Sequence, residues 1–202
     1  ANDSHYYLVP GVIVTIMTMI GALLTSLVMA REYERGTLES LFVTPVGSGE
    51  ILTAKAATNF LLGMVSLAIS MIFAAFVFDI PIRGSLTLLL AVSALFLIVA
   101  LGLGLVISTA TKNQFLACQF AIMGTFMPAL MLSGFLYDIL NMPPAVRALT
   151  YMIPARYYVT LLQTLFLAGD IPSVIIPCRI TLGVFAVVLM GIARLKAPKS
   201  LE

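Results

Sequence analysis

An all-α polytopic bundle is what three observations predict: five transmembrane helices, a short surface helix after the first, and a helical hairpin that re-enters from the opposite side. Hydrophobic residues make up 61% of the 202 positions and charged ones only 10%. The mean hydropathy is +1.10, far outside the range of soluble domains. The apolar residues gather in five runs, each longer than the ~18 residues at which a run reads as a transmembrane helix. The polar breaks between runs are mostly short, as antiparallel neighbours in a bundle require, and a single one is long.

The runs are Leu8 to Ala30, Ile51 to Phe78, Leu86 to Ala110, Phe115 to Leu136, and Ile171 to Ala193. At a rise of about 1.5 Å per residue each covers roughly 30 Å of hydrocarbon. After the first run, residues 31–45 crowd Arg31, Glu32, Glu34, Arg35 and Glu39 into a chain that otherwise avoids charge. Arg35 and Glu39 are spaced i, i+4, and Leu38, Leu41 and Phe42 form an apolar stripe, as in a helix lying at the membrane surface. Gly36 predicts a bend, and Thr44-Pro45 closes the element. Such a helix is a docking handle for a soluble partner; the plainer reading is a solvated loop with helix-end charges.

The long break, residues 137–170, differs from an ordinary loop. Val146, Leu149, Met152 and Ile153, then Val159, Leu161, Leu162, Leu165 and Phe166, fall at helical spacing around Pro143-Pro144 and Pro154. Two short helices joined at Pro154 are expected, each too short to span. Irregular backbone at that depth needs cover from protein or water, so both are expected to pack against the bundle.

Lys and Arg are retained on the cytoplasmic side of membrane proteins. Placing Arg31, Arg35, Lys55, Lys112, Arg194, Lys196 and Lys199 inside leaves only Arg83, Arg147, Arg156 and Arg179 outside. Tyr6, Tyr7, Tyr137, Tyr151, Tyr157 and Tyr158 then gather at the outer face, where amphipathic rings favour the headgroup level, and Tyr33 alone lies inside. The C-terminus is cytoplasmic in this arrangement. The odd number of crossings puts Ala1 outside, so at least one further span is expected upstream of it.

Within the spans, Asn59, Gln119, Thr125 and Met127 are candidates to line a pathway, although interhelical hydrogen bonding explains each polar one singly. Lys55, near a span end, is expected to snorkel. Gly102, Gly104 and Ser108, with Ala117 and Ala121, have the spacing of close helix-packing faces. Cys118 and Cys178 read as small buried hydrophobes. The net charge of +2, without a basic face interleaved with aromatics, leaves no footprint of a nucleic-acid binder. The single His5 precedes the first run, and no His-Glu-x-x-His motif occurs, which argues against intramembrane catalysis. No Asp or Glu lies centrally in a run, which argues against an ion-driven secondary transporter or channel.

Two separated segments carry a family resemblance. Glu34-Arg35-Gly36-Thr37-Leu38-Glu39, followed by Leu41 and Thr44-Pro45, resembles the coupling-helix signature of ABC type-2 exporter permeases. Downstream, Leu132-Ser133-Gly134-Phe135, Asn141-Met142-Pro143, and Leu149-Thr150-Tyr151 with Pro154 and Tyr157-Tyr158 resemble that family's outer re-entrant segment. The likeness covers essentially the whole chain, matching the second to sixth of six family helices. It departs from many relatives at Tyr137-Asp138, where they carry a proline.

The resemblance implies a non-catalytic permease subunit of the bacterial inner membrane that works as a homodimer or with a paralogue. A first span and a sizeable extracytoplasmic domain would precede this chain. Arg31, Glu32, Glu34, Arg35, Gly36, Thr37, Leu38 and Glu39 would contact or position a separate ATP-binding cassette subunit. Ser133, Gly134, Phe135, Asn141, Met142, Pro143, Pro154 and Tyr157 would form the outer gate. ATP and Mg would bind to the partner; no Gly-x-x-x-x-Gly-Lys-Ser/Thr phosphate loop occurs in this chain. Cargo would be drugs or other amphipathic compounds, with polysaccharide or lipid as the alternative, and a periplasmic adaptor and membrane lipids join the expected partners.

Overall fold

The computed structural model describes residues 3–36, 48–76, 84–134, 136–137 and 139–196. Among them every regular element is helical, and five helices are long and apolar enough to cross a membrane. The first span, Leu8–Glu34, is one rod made of α1 (Asp3–Thr18), a π-helical turn (Met19–Leu24) and α2 (Thr25–Glu34). The second lies in α3 (Ser48–Phe76) and the third is α4 (Leu86–Thr111). The fourth, Gln114–Leu132, joins α5 (Gln114–Ala121), a second π turn (Ile122–Phe126) and α6 (Met127–Leu132). A 3-10 turn (Ile139–Asn141), α7 (Pro144–Thr150) and α8 (Pro154–Leu167) lead to α9 (Pro172–Lys196), which carries the fifth span.

Apolar on every side, α4 cannot present a polar face to water and belongs at the centre. It packs against α2, α3, α5, α8 and α9, and 56% of its most apolar stretch is buried, against 17% for the fifth span. Small residues admit the neighbours. A Cβ on Gly104 would stand 2.7 Å from the Ala22 carbonyl oxygen and 2.9 Å from Thr25 Cβ. Ser108, Ala117 and Ala121 are buried as well, so these packing faces lie within the chain.

Each π turn accompanies a threonine. The Thr18 hydroxyl donates to the Val14 carbonyl at 2.7 Å and the Thr125 hydroxyl to Ala121 at 2.5 Å. Back-bonding of this kind competes with the α-helical ladder and loosens it locally.

The two ends of the bundle differ. At one, Lys55 Nζ lies 2.5 Å from Glu32 Oε1, and Met29, Leu105 and Ala193 close a small apolar cluster. This end gathers Arg31, Arg35, Lys55, Lys112 and Arg194. At the other, the Gly84 N–H bonds to the Leu165 carbonyl at 2.8 Å, and the Ser85 N–H to Asp170 Oδ1 at 3.0 Å.

Several boundaries differ from those read in the sequence. The first helix runs past Ala30 to Glu34, because Arg31, Glu32 and Tyr33 continue the ladder without cost. It stops at Gly36, whose φ of 65° ends an α-helix at little expense only for glycine. The fourth stops at Leu132 rather than Leu136, where Ser133 and Gly134 turn the chain. Thr37, Leu38, Glu39 and Phe135 lie outside the described residues.

Candidate functional site

Two regions hold the residues singled out above. The first is the end of α2. Arg31, Glu34 and Arg35 are exposed there, and Glu32 and Tyr33 are half-buried. The two carboxylates turn toward the chain's own helices: Glu32 to Lys55 on α3, and Glu34 Oε2 to the backbone N–H of Gln114 at 3.0 Å. Lys55 therefore snorkels onto a partner rather than into open water. Arg31 and Arg35 present their charge outward.

The second region is the hairpin. Pro143 and Pro154 stand immediately before and at the first positions of α7 and α8, where proline's fixed φ suits a helix start. On α8, Tyr158, Val159, Leu161, Leu162, Leu165 and Phe166 are buried, giving the helix one face against the bundle. The Tyr158 hydroxyl lies 2.7 Å from Ser93 Oγ, and its ring stacks on Phe96 with centroids 4.2 Å apart. Phe96 is about 15 Å along α4 from Leu86, so α8 reaches roughly half the thickness of a bilayer core. Tyr158 is thus fully buried, well below the headgroup level at which the tyrosines were expected to gather. The long break folds inward because its apolar stripe has more to bury against α4 than against headgroups.

The corner between α7 and α8 is held by its own side chains. Arg156 Nη1 donates to Thr150 Oγ1, its guanidinium sits 3.9 Å above the Tyr151 ring, and the Tyr157 hydroxyl donates to the Tyr151 carbonyl at 2.9 Å. Met152, Ile153 and Pro154 line a cavity of about 90 Å³ with Thr18, Phe96, Gly124 and Thr125. The corner therefore meets both π turns at one level. This convergence went unread in the sequence, since nothing marks Thr18 or Ser93 among the other hydroxyl residues of the spans.

The expected gate residues separate into two levels. Asn141, Met142 and Pro143 border a wide cavity with Met131, Leu136 and Val146 at the mouth of the hairpin. Ser133, 1% exposed, is buried beside that mouth. Pro154 and Tyr157 lie deeper, at the corner. The expected pathway residues also divide. Asn59 is buried and its Nδ2 donates to Thr25 Oγ1 at 2.9 Å, tying the second span to the first. Thr125 faces the internal cavity, whereas Gln119 and Met127 lie on the exposed face of the fourth span. Cys118 and Cys178 are free and half-buried.

The model of the family described as ABC-2 type transporter matches residues 2–167. The chain is 47% identical over all 202 residues to the Probable multidrug ABC transporter permease YbhS of Escherichia coli K12, covering 54% of that protein. It is 32% identical over 168 residues to the Probable multidrug ABC transporter permease YbhR of the same strain, covering 82% of this chain and 45% of that one. To the Inner membrane transport permease YhhJ, also of K12, it is 28% identical over 190 residues, 94% of this chain and 50% of the relative. The chain thus spans about half the length of the curated relatives it matches.

Proposed function

The chain belongs to the ABC-2 type transporter family, and from that premise we propose that it is the membrane-spanning permease part of an ATP-driven exporter. A separate ATP-binding subunit docks on Arg31 and Arg35, which face outward, and on Thr37, Leu38 and Glu39 that follow them, while Glu32 and Glu34 turn inward to the chain's own helices. The observation that carries this reading is the end of α2: exposed Arg31 and Arg35 on a helix that breaks at Gly36, at the bundle end that also holds Lys55, Lys112 and Arg194. By the preference of Lys and Arg for the inside, that end is cytoplasmic, and so is the end of α9.

Export of drug-like amphipathic compounds is proposed by similarity to the multidrug permeases. Two permease chains, identical or paralogous, face each other across the fourth span. Gln119 supports this pairing, because an amide among exposed Phe120, Met123 and Met127 is costly against lipid and finds partners across a helix interface. Gln119 and Met127 then border the space between the two chains, and the mouth at Asn141 to Pro143 forms the outer gate.

The test uses the full-length permease purified gently from its native membrane, with mass spectrometry of co-purifying subunits and ATP-dependent ethidium transport in vesicles. A stoichiometric subunit with a phosphate-binding loop is expected, lost in Arg35→Glu and in Glu39→Lys together with transport. Wild-type permease that captures no ATPase while paired, or full transport in both variants, overturns the reading.

A further inference from the structure

Gln114 is the first residue of α5, so its N–H is one of the donors that a helix start leaves without an intrahelical partner. Glu34 supplies the acceptor from another span, at 3.0 Å. The next turn is held locally, with Asn113 Oδ1 accepting the Leu116 N–H at 3.1 Å and the Asn113 carbonyl accepting the Ala117 N–H at 2.9 Å. A carboxylate at a helix start also gains from the helix dipole, so bond and field act in the same sense. The terminus has little slack. It follows α4 through a tight turn in which Lys112 takes a left-handed φ of 49°.

We propose that Glu34 is a transmission strut and not a docking contact: it ties the motif-bearing end of the first span to the start of the fourth, so that displacement of that end carries α5 with it. Along their length α2 and α5 pack side by side, and the Ser26 hydroxyl donates to the Ala117 carbonyl at 3.3 Å. The Glu34 bond adds a tie at the very end of the pair, where a push on the motif enters. Glu32 holds α3 through Lys55, so the two acids engage different spans while Arg31 and Arg35 face outward. Beyond α5 the motion reaches the second π turn, whose Thr125 and Gly124 border the hairpin corner. This positioning role rests on the exporter reading above.

The test uses the full-length permease with its ATP-binding subunit in nanodiscs and vesicles, with ethidium as the transported probe. Glu34→Ala removes the acceptor; Glu34→Gln keeps an oxygen that can accept the same bond. In Glu34→Ala the ATPase subunit stays bound and hydrolyses ATP, while ethidium moved per ATP falls about tenfold or more. In Glu34→Gln that ratio stays within about threefold of wild type. Exchange of the Gln114 amide hydrogen speeds about tenfold in Glu34→Ala and stays near wild type in Glu34→Gln.

Loss of the ATPase subunit from Glu34→Ala makes Glu34 a docking residue and overturns the strut. So does unchanged transport per ATP or unchanged amide exchange in that variant, and so does loss of coupling in Glu34→Gln. Wild-type permease that binds no ATPase defeats the exporter reading itself, and the coupling role with it. The amide-exchange measurement still decides, without any ATPase, whether the tie exists.

Discussion

Tyr158 buries a phenol completely beside Ser93 and Phe96, so its ring and its hydroxyl make separable contributions. Tyr158→Phe removes one buried hydrogen bond and is expected to cost about 1 kcal/mol. Tyr158→Ala also empties a stacked site and is expected to cost about 3–5 kcal/mol. Thermal unfolding of both variants in detergent checks the ranking; equal losses would mean that the stack adds nothing. The Glu32–Lys55 pair, each side chain about a quarter exposed, is a weaker bond. Lys55→Ala is expected to lose at most about 1 kcal/mol, less as salt is raised, by the same measurement. Of these residues, Glu32 and Glu34 were legible as members of a charged motif, but their partners were not. A partner is set by which helix lies alongside, and that distance is not written in the local pattern.

At the scale of the element, glycines separate packing faces from free ones. Gly104 meets the backbone of the first span, whereas a Cβ on Gly191 meets nothing within 4 Å. Gly104→Ala is therefore expected to destabilise by about 1–3 kcal/mol through overpacking, a cost that helix propensity offsets only in part. Gly191→Ala, with no contact to disturb, is expected to be neutral or stabilising by up to about 1 kcal/mol. Unfolding midpoints in detergent decide, and a reversed order would sink the placement of α4 against the first span. The hairpin was legible as two short helices broken at Pro154, because proline punctuation and a helical apolar stripe are local signals. Its depth was not: the stripe says that one face is buried, while α4 and its stacked Phe96 say how far in.

At the scale of the whole molecule, the faces left uncovered carry the prediction. The fourth span exposes Phe115, Phe120, Met123, Met127 and Met131, and α9 exposes Ile180, Val184 and Val187. Both faces are mostly apolar; the fourth span carries an exposed amide at Gln119, whereas the exposed Arg179 of α9 is a long side chain within two turns of the helix start that snorkels toward the membrane surface. With Cys118 and Cys178 replaced by serine, a cysteine at Met123 is expected to cross-link two permease chains under mild oxidation. One at Val187 is expected to leave them separate on a non-reducing gel. Cross-linking at Val187 and none at Met123 would place the seam on α9 instead.

The amino-acid pattern alone determined that this protein is an all-helical membrane bundle, because twenty or so apolar residues in a row have no other stable way to satisfy their backbone. It also determined where charge interrupts that pattern, and the motif there together with the one downstream, Leu132 to Tyr158, carried the family resemblance. Which residues share a level was decided only by the tertiary structure. The two π turns, the hairpin corner and the bond from Glu34 to Gln114 arise where separate helices meet, and such meetings depend on packing around α4 rather than on any one stretch of chain.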